Sequence, residues 1–452
     1  MKLDATAKTH LLALTVLGTT VLLSKLWQGD MRGDSLFYAE VAKEILKTGD
    51  WLTMHFAYEP YFNKPPLLFW LTAINYKLFG MTSFSARFWS PFIALLCGLA
   101  LYLLASQVFD RKVAFLSAMI LFMTRDFIKD NMGLRMDSTV TLSIILFVLF
   151  LWSGTSWRHT IGAGAALSIG LLAKSYAGLY GPLIFGLYLV LMGQWRRLLS
   201  PPFIKAVALG LLFFSLWLIP VWIANGESFL RAFIGRETIA TLTGMKPYSK
   251  GKIYYLKVLL QTYWPWLPLL PLALWKVWGK APREGRILVL SWIAVVAFSL
   301  LFPKPEYGRY MMPLYPAFAL AIGFFLGGLM KRETIDKLAK TALVGGTVAF
   351  FIINIFPLQL HKISYAKLRE LKPLVDYHRA HGLTEVYVYR TRYRTPHAVI
   401  FYLDVVPKAL KSLADLPVQG LVIAESRGRG DLLTGPCTEQ LYNGSYSLFV
   451  CR

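Results

Sequence analysis

Apolar runs as long as a bilayer is thick recur along the first 358 residues, and no other feature constrains the fold as strongly. A helix crosses the hydrocarbon core with about 20 apolar residues, because backbone groups left unpaired in lipid are too costly for an open alternative. Such runs occupy residues 9–27, 87–109, 112–130, 137–153, 160–176, 178–194, 203–224, 255–278, 286–302, 311–330 and 340–358. Hydrophobic residues make up 56% of the 452-residue chain and charged residues only 16%; a soluble domain holds about 45–50% and about 25%. Together these predict an α-helical polytopic membrane protein with about eleven transmembrane helices. Disorder, a coiled coil and a small disulfide scaffold are excluded.

Lys2 and Lys8 precede the apolar stretch Leu11–Leu26 without a small-residue cleavage site after it, which predicts an uncleaved first span with its N-terminus in the cytoplasm. The segment 65–80 (PPLLFWLTAINYKLFG) is apolar but short, carries Lys77 and opens on two prolines. The charges of the short turns settle its placement. If it does not cross, the cytoplasmic turns hold Arg111 and Lys112, then Arg158, then Arg196 and Arg197, then Lys276, Lys280, Arg283 and Arg286, then Lys331, Arg332, Lys337 and Lys340. Every turn is then basic, so the segment is expected to be an interfacial or re-entrant helix. An odd number of spans places the C-terminal tail outside. The expected domains are therefore a transmembrane domain, 1–358, and a small soluble periplasmic α/β domain, 359–452.

Three long outer segments remain: 28–86, 225–254 and the tail. In SLFYAEVAKEILKTGDW, Phe37, Val41, Ile45 and Leu46 share one helical face with Lys43, Glu44 and Lys47 opposite, the pattern of a helix lying on the membrane. The tail alternates helix-like KLRELKPLVDYHRAHG with strand-like EVYVYR, GLVIAES and YSLFVC. Of three cysteines, Cys97 sits in an apolar run while Cys437 and Cys451 share the tail; if the tail lies outside, that pair is available for one disulfide. No internal repeat or low-complexity tract interrupts the pattern.

Lys and Arg number 48 against 25 Asp and Glu, a formal net charge of +23. In a chain this apolar, the phosphates within reach are those of lipids rather than nucleic acid. Ionisable residues collect at outer span ends and outer loops. A proton-coupled transporter would be expected to carry mid-helix carboxylates, so the pattern favours a reaction chamber at the outer membrane face.

The first outer loop opens RGDSLFYAEVAKEI and continues YFNKPPLLFW. It resembles the first loop of the polyprenyl-phosphate-dependent integral membrane glycosyltransferases, the group of the lipid A aminoarabinose transferase and the protein O-mannosyltransferases. The resemblance continues in register through LFGMTSFSARFWSPFIALL, RMDSTVTLSIILF, GLLAKSYAGL and KPEYGRYMMPLYP, covering roughly residues 28–330. It implies a GT-C-like fold, a polyprenyl-phosphate-linked sugar as donor, and a glycolipid or protein as acceptor. It further implies action at the periplasmic face of a bacterial inner membrane, by direct displacement with inversion at the anomeric carbon.

By that resemblance Asp34 is the essential first-loop carboxylate, suited to take the proton of an attacking hydroxyl; its plain alternative is an N-cap for a helix starting near Ser35. Asp137, in RMDS, is implied to be a second active-site carboxylate; alternatively it caps a helix or pairs with Arg135. Lys64, in NKPPL, is implied to contact the donor phosphate, or else snorkels to headgroups. Lys174, Lys304, Arg309 and Tyr310 complete the cationic set against that phosphate, with interfacial anchoring as the alternative. His55, Glu59 and Arg135, with the basic loop of Arg231, Arg236, Lys246, Lys250 and Lys252, are read as an acceptor entrance or simply solvated loops. Two departures stand out: Ser35 and Asn63 occupy places where the family often carries acids, which weakens a metal site built on adjacent carboxylates. No ligand spacing for a metal emerges from the histidines and cysteines, and no cofactor is expected, with a divalent ion left open. The sugar stays open among aminoarabinose, hexuronic acid and neutral hexose, and the acceptor among lipid A, lipopolysaccharide core and protein, a lipid-bound glycan being favoured. A lipid flippase or transporter and a non-catalytic assembly subunit are the rival classes.

Overall fold

The computed structural model describes residues 4–24, 26, 31, 34–243, 250–251, 253–303, 306–355, 365–392 and 395–451. The chain packs as two compact units. The first comprises Met1–Leu26, Phe62–Leu71 and Arg87–Phe356; the second comprises Trp27–Tyr61, Thr72–Ala86 and Pro357–Arg452.

The first unit is helical. Among the described residues five helices are long and apolar enough to cross a membrane: Ala5–Leu23, Ser83–Val108, Pro201–Ile239, Gly308–Gly327 and Arg332–Ile355. The remaining expected runs are helical over shorter stretches. Run 112–130 is divided into Arg111–Phe122 and Arg125–Asn131 where Thr124 turns extended. Run 255–278 is divided into Tyr254–Thr262 and Leu269–Lys280, because Pro265 and Pro268 withdraw backbone donors from a continuous helix. The ambiguous 65–80 segment forms Leu67–Phe79, 13 residues. At about 1.5 Å per residue it is too short for a core about 30 Å thick. Large rings fill the interior, with Tyr102, Phe115, Phe122, Phe147, Trp292 and Tyr315 buried. The first helix is tied to Arg332–Ile355 by His10 Nε2 to Asp336 Oδ1 at 3.2 Å and by the Thr20 hydroxyl donating to Gly346 O at 2.9 Å.

One helical hairpin positions the chemistry. Asp137–Ser153 and Trp157–Lys174 run antiparallel through the short turn 154–156, so the start of one and the end of the other share an edge. Gly170 makes the crossing close: a Cβ there would lie 2.4 Å from Ser143 Oγ. After Lys174 the backbone reverses at Ser175 (φ 39°) into the turn Ser175–Leu179. Gly178 of that turn lies against the helix just left, where a Cβ would be 2.3 Å from Leu171 N.

In the second unit the helix Asp34–Thr48 packs on the helix Thr395–Leu403. A small hairpin pairs β1 (His55–Phe56) with β2 (Glu59–Pro60). Beyond it lie β3 (Val386–Tyr389), β4 (Lys408–Leu410), β5 (Gly420–Glu425), β6 (Cys437–Tyr442) and β7 (Tyr446–Cys451), in sheet order β4-β3-β5-β7-β6. β3 is parallel to both β4 and β5, whereas β7 is antiparallel to β5 and β6. Every residue of β5 and β7 is buried while the edge strand β6 alternates, as a sheet covered at its centre requires. Cys437 and Cys451 face each other across β6 and β7 and form a disulfide. The expected tail domain thus shares its unit with parts of the first outer loop.

The Asp34–Thr48 helix corrects one expectation. A helix lying on the membrane would turn its polar face to water, yet Lys43 and Glu44 of that face, and Glu40 beside them, are buried. Lys43 Nζ lies 3.1 Å from Glu40 Oε2, donates to Phe401 O at 2.6 Å and pairs with Asp404 Oδ1 at 2.5 Å. Lys47 also pairs with Asp404. An ammonium with three oxygen partners loses little by leaving water, so the polar face is a docking surface within the unit.

Candidate active site

Asp137 opens its helix and Lys174 closes the next, and their side chains meet at 2.5 Å. Each sits at the helix end its charge favours, a carboxylate at an N-terminus and an ammonium at a C-terminus. The turn before Asp137 is pinned to a neighbouring helix: Arg135 N–H donates to Ser90 Oγ at 2.7 Å, and the Ser90 hydroxyl donates to Arg135 O at 2.9 Å. The expected local alternative, a pairing of Asp137 with Arg135, yields to Lys174 as the direct partner, although Arg135 and Arg309 both act on the Asp137 charge.

Tyr310 lies in the turn Gly308–Leu314, with Lys174 Nζ 4.4 Å from its ring centre. Arg309 stacks on the Tyr307 ring at 4.2 Å. The cation–π contacts hold both cations over ring faces and leave ammonium and guanidinium protons for further acceptors. A small cleft is lined by Asp137, Lys174, Tyr176, Tyr180 and Tyr310.

Lys64 precedes Pro65 and Pro66 and the Leu67–Phe79 helix, whose first turn is closed by Trp70 N–H donating to Pro66 O at 2.9 Å. Its Nζ meets Glu237 Oε2 at 2.6 Å. Lys64 is within electrostatic reach of Lys174, and Glu237 of Tyr176, two residues that line the Asp137 cleft. The first unit therefore gathers Lys64, Arg135, Asp137, Lys174, Arg309 and Tyr310 around one place. It offers several cations, two paired carboxylates and phenolic hydroxyls, a set suited to an oxygen-rich anion.

The family whose sequence model matches, at residues 63–222, is described as dolichyl-phosphate-mannose-protein mannosyltransferase. The undecaprenyl phosphate-alpha-4-amino-4-deoxy-L-arabinose arabinosyl transferase of Yersinia enterocolitica is 30% identical over 314 residues, 66% of this chain and 55% of that protein. Its counterpart in Pseudomonas aeruginosa is 26% identical over 343 residues, 74% of this chain and 62% of that one. Over these stretches the chain is similar to the polyprenyl-phosphate glycosyltransferases. It spans little more than half the length of the Yersinia relative. The fold agrees with the crystal structure of ArnT from Cupriavidus metallidurans bound to undecaprenyl phosphate, with a TM-score of 0.73, 17% identity and coverage of 99% of this chain and 98% of that one. The archaeal oligosaccharyltransferase AglB from Archaeoglobus fulgidus is a more distant likeness, TM-score 0.55 at 12% identity, covering 94% of this chain and 70% of that one.

Asp34, half-buried in the first turn of its helix, and His55 and the exposed Glu59 on the hairpin all belong to the second unit. Lys304, Lys246 and Lys252 lie outside the described residues. Arg231 pairs with Glu227 at 2.6 Å on the surface, and Lys250 lies 4.4 Å from the Tyr254 ring centre and 5.1 Å from that of Tyr307. Among the described residues no three His, Cys, Asp or Glu side chains gather as a group that could hold a metal. Sequence reasoning missed Glu237, Tyr176 and Tyr180. For Glu237 a signal existed: it is one of only two acids, with Glu227, in an outer segment that carries Arg231, Arg236, Lys246, Lys250 and Lys252.

Proposed function

We propose that the protein transfers a sugar from undecaprenyl phosphate, or a related polyprenyl phosphate, to a lipid A or lipopolysaccharide-type acceptor at the periplasmic face of a bacterial inner membrane. The observation that carries this reading is the convergence of Lys64, Lys174, Arg309 and Tyr310 beside Asp137 in a chain similar to this family. The Yersinia and Pseudomonas relatives, by name, act with 4-amino-4-deoxy-L-arabinose, which makes that pentose the first sugar to test. The reading includes eleven spans, a cytoplasmic N-terminus and a periplasmic C-terminal domain beginning near residue 359. The Cys437–Cys451 disulfide supports that placement, since disulfides persist in oxidising compartments.

In the proposed reaction an acceptor hydroxyl oxygen attacks C1 of the sugar as the bond from C1 to the phosphate oxygen breaks, inverting the anomeric centre. The hydroxyl proton passes to a carboxylate, a role assigned to Asp34 by the resemblance of its loop. The electron pair leaves on polyprenyl phosphate, whose growing charge Lys64, Lys174 and Arg309 offset. Asp137 holds Lys174 in place for that task. No cofactor is required by this scheme.

Purified protein supplied with radiolabelled lipid-phosphate aminoarabinose and lipid A, with and without chelator, tests the proposal. Labelled lipid A together with free polyprenyl phosphate is the expected result. Lipid translocation without sugar release would replace the enzyme with a flippase. A protein acceptor is the second reading, favoured by the match of residues 63–222 to the protein mannosyltransferase family; a lost protein glycoform in cells lacking the gene, with lipid A and core unchanged, would establish it instead.

A further inference from the structure

Lys64 does not stand open toward the cleft but carries a carboxylate of its own, Glu237 Oε2 at 2.6 Å. We propose that Glu237 is a displaceable counter-ion, one that yields Lys64 to the phosphate of the lipid carrier and retakes it as that phosphate leaves. This rests on the reading of Lys64 as a donor-phosphate ligand. Three features distinguish the pair from Asp137–Lys174.

The first is exposure. The Lys64 and Glu237 side chains are 25% and 20% exposed, whereas Asp137 is 5% exposed. A pair that water reaches can be exchanged without stranding either charge, while a deeply buried carboxylate cannot be left alone.

The second is the element that carries the acid. Asp137 is part of a regular helix N-terminus. Glu237 sits in Leu230–Ile239, a stretch wound in the wide i→i+5 pattern, which is rare and tends to mark functional sites. That stretch is joined to the long helix from Pro201 through a break at Gly226 (φ 58°, ψ −137°), a backbone conformation that glycine adopts at no steric cost. The arm is seated by rings: Phe229 stacks on Phe233 at 5.1 Å and meets Phe62 edge-on at 5.4 Å. Phe62 is two residues from Lys64, so apolar contacts hold the arm beside Lys64 when the ionic contact is given up.

The third is charge arithmetic. A sugar-linked carrier is a phosphodiester with one negative charge, which a carboxylate matches, so the donor and Glu237 compete for Lys64 on equal terms. The product is a phosphate monoester bearing about −1.5 to −2 at pH 7, and it would hold Lys64 more strongly. Glu237 limits that retention by offering the lysine a partner as the product departs. The step is an exchange of ions; no covalent bond forms or breaks.

The test measures binding of undecaprenyl phosphate to the full-length protein in phosphatidylcholine nanodiscs, for wild type, Glu237→Gln, Glu237→Asp and Lys64→Gln, with thermal melts to confirm folding. Glu237→Gln is expected to bind about fivefold tighter, the scale of a partly exposed ion pair. Glu237→Asp keeps the charge and is expected to bind as wild type does. Lys64→Gln is expected to bind more weakly. Unchanged or weaker binding by Glu237→Gln, or tighter binding by Glu237→Asp, overturns the counter-ion role while leaving the donor site intact. If wild type itself binds no undecaprenyl phosphate, or Lys64→Gln binds it as well as wild type, the proposed donor site fails and the counter-ion role falls with it.

Discussion

Asp137 and Lys174 lie at the same end of a helical hairpin and close it with a 2.5 Å ion pair, the carboxylate 5% exposed and the ammonium 19%. Removing one partner from such a pair leaves the other uncompensated, at a cost of about 3 kcal/mol or more. Asp137→Asn and Lys174→Met should each lower the melting temperature. The reversal Asp137→Lys with Lys174→Asp should recover much of the loss, because residues in direct contact are energetically coupled. Turnover should behave differently. Asp137→Asn is expected to lose at least about 100-fold, a typical contribution of a positioned catalytic group, and the reversed pair should stay inactive because the cation would no longer face the cleft. Recovered activity in the reversed protein would reduce the pair to a structural clasp.

Both residues of that pair were legible as site candidates but their pairing was not, and the partner of Lys64, Glu237, was missed, for physical reasons. Asp137 and Lys174 bracket two helices joined by a short turn, so periodicity brings them to one edge without fixing which side chains meet there. Lys64 and Glu237 are 173 positions apart, and no local pattern connects them. The buried polar face of Asp34–Thr48 escaped for another reason. An amphipathic pattern is identical whether its charged stripe meets water or a matching cluster, and the partners here, Phe401 O and Asp404, come from the far end of the chain. In the tail, β3, β5 and β7 announced themselves as continuous apolar runs, whereas the edge strands β4 and β6 are short or mixed in burial. The helix Thr395–Leu403, rich in β-branched and aromatic residues, carries no clear helical propensity.

The Glu40 cluster should give the second unit an unusual response to pH. Burial pushes the Glu40 carboxyl up to about 7 from 4.5, Lys43 offsetting only part of that. The folded state therefore holds the proton more tightly than the unfolded chain, and stability falls as pH rises from about 4.5 to about 7. Asp404 has the opposite sign. Despite partial burial, Lys43 and Lys47 hold its carboxyl down at about 2 against 3.8, so its contribution is complete above 3.8 and is lost as pH falls toward 2. Glu40→Gln keeps an acceptor for Lys43 and removes the titration. Thermal melts between pH 4.5 and 8 should show it gaining on wild type as pH rises, by up to about 3 kcal/mol, with the two converging at the acid end. Parallel curves would contradict the burial argument.

The disulfide makes a separate claim about the tail. Cys437 and Cys451 enclose a loop of sequence separation 14, and constraining the unfolded chain over such a loop contributes about 3 kcal/mol. Replacing both with serine should lower the melting temperature of the second unit and raise its susceptibility to protease. Alkylation gives an independent readout: denatured, unreduced protein should take up one equivalent, at Cys97, and reduced protein three. Three equivalents without reductant would remove the bridge and, with it, one support for a periplasmic tail.

The same chemistry makes the topology directly measurable. Cys97 is buried and the other two cysteines are bridged, so an introduced thiol is read against a low background. Thr48 and Arg196 are both exposed, and the proposed topology puts them on opposite sides of the membrane. Thr48→Cys should therefore react with an impermeant maleimide in intact cells, while Arg196→Cys should react only after permeabilisation. The assignment matters because Asp137 and Lys174 lie at the end of their hairpin opposite the turn 154–156, and Arg158 just beyond that turn is expected inside. Labelling of Arg196→Cys in intact cells, with Thr48→Cys protected, would put the cleft in the cytoplasm, where nucleotide sugars become the natural donors and the lipid-phosphate reading loses its foundation.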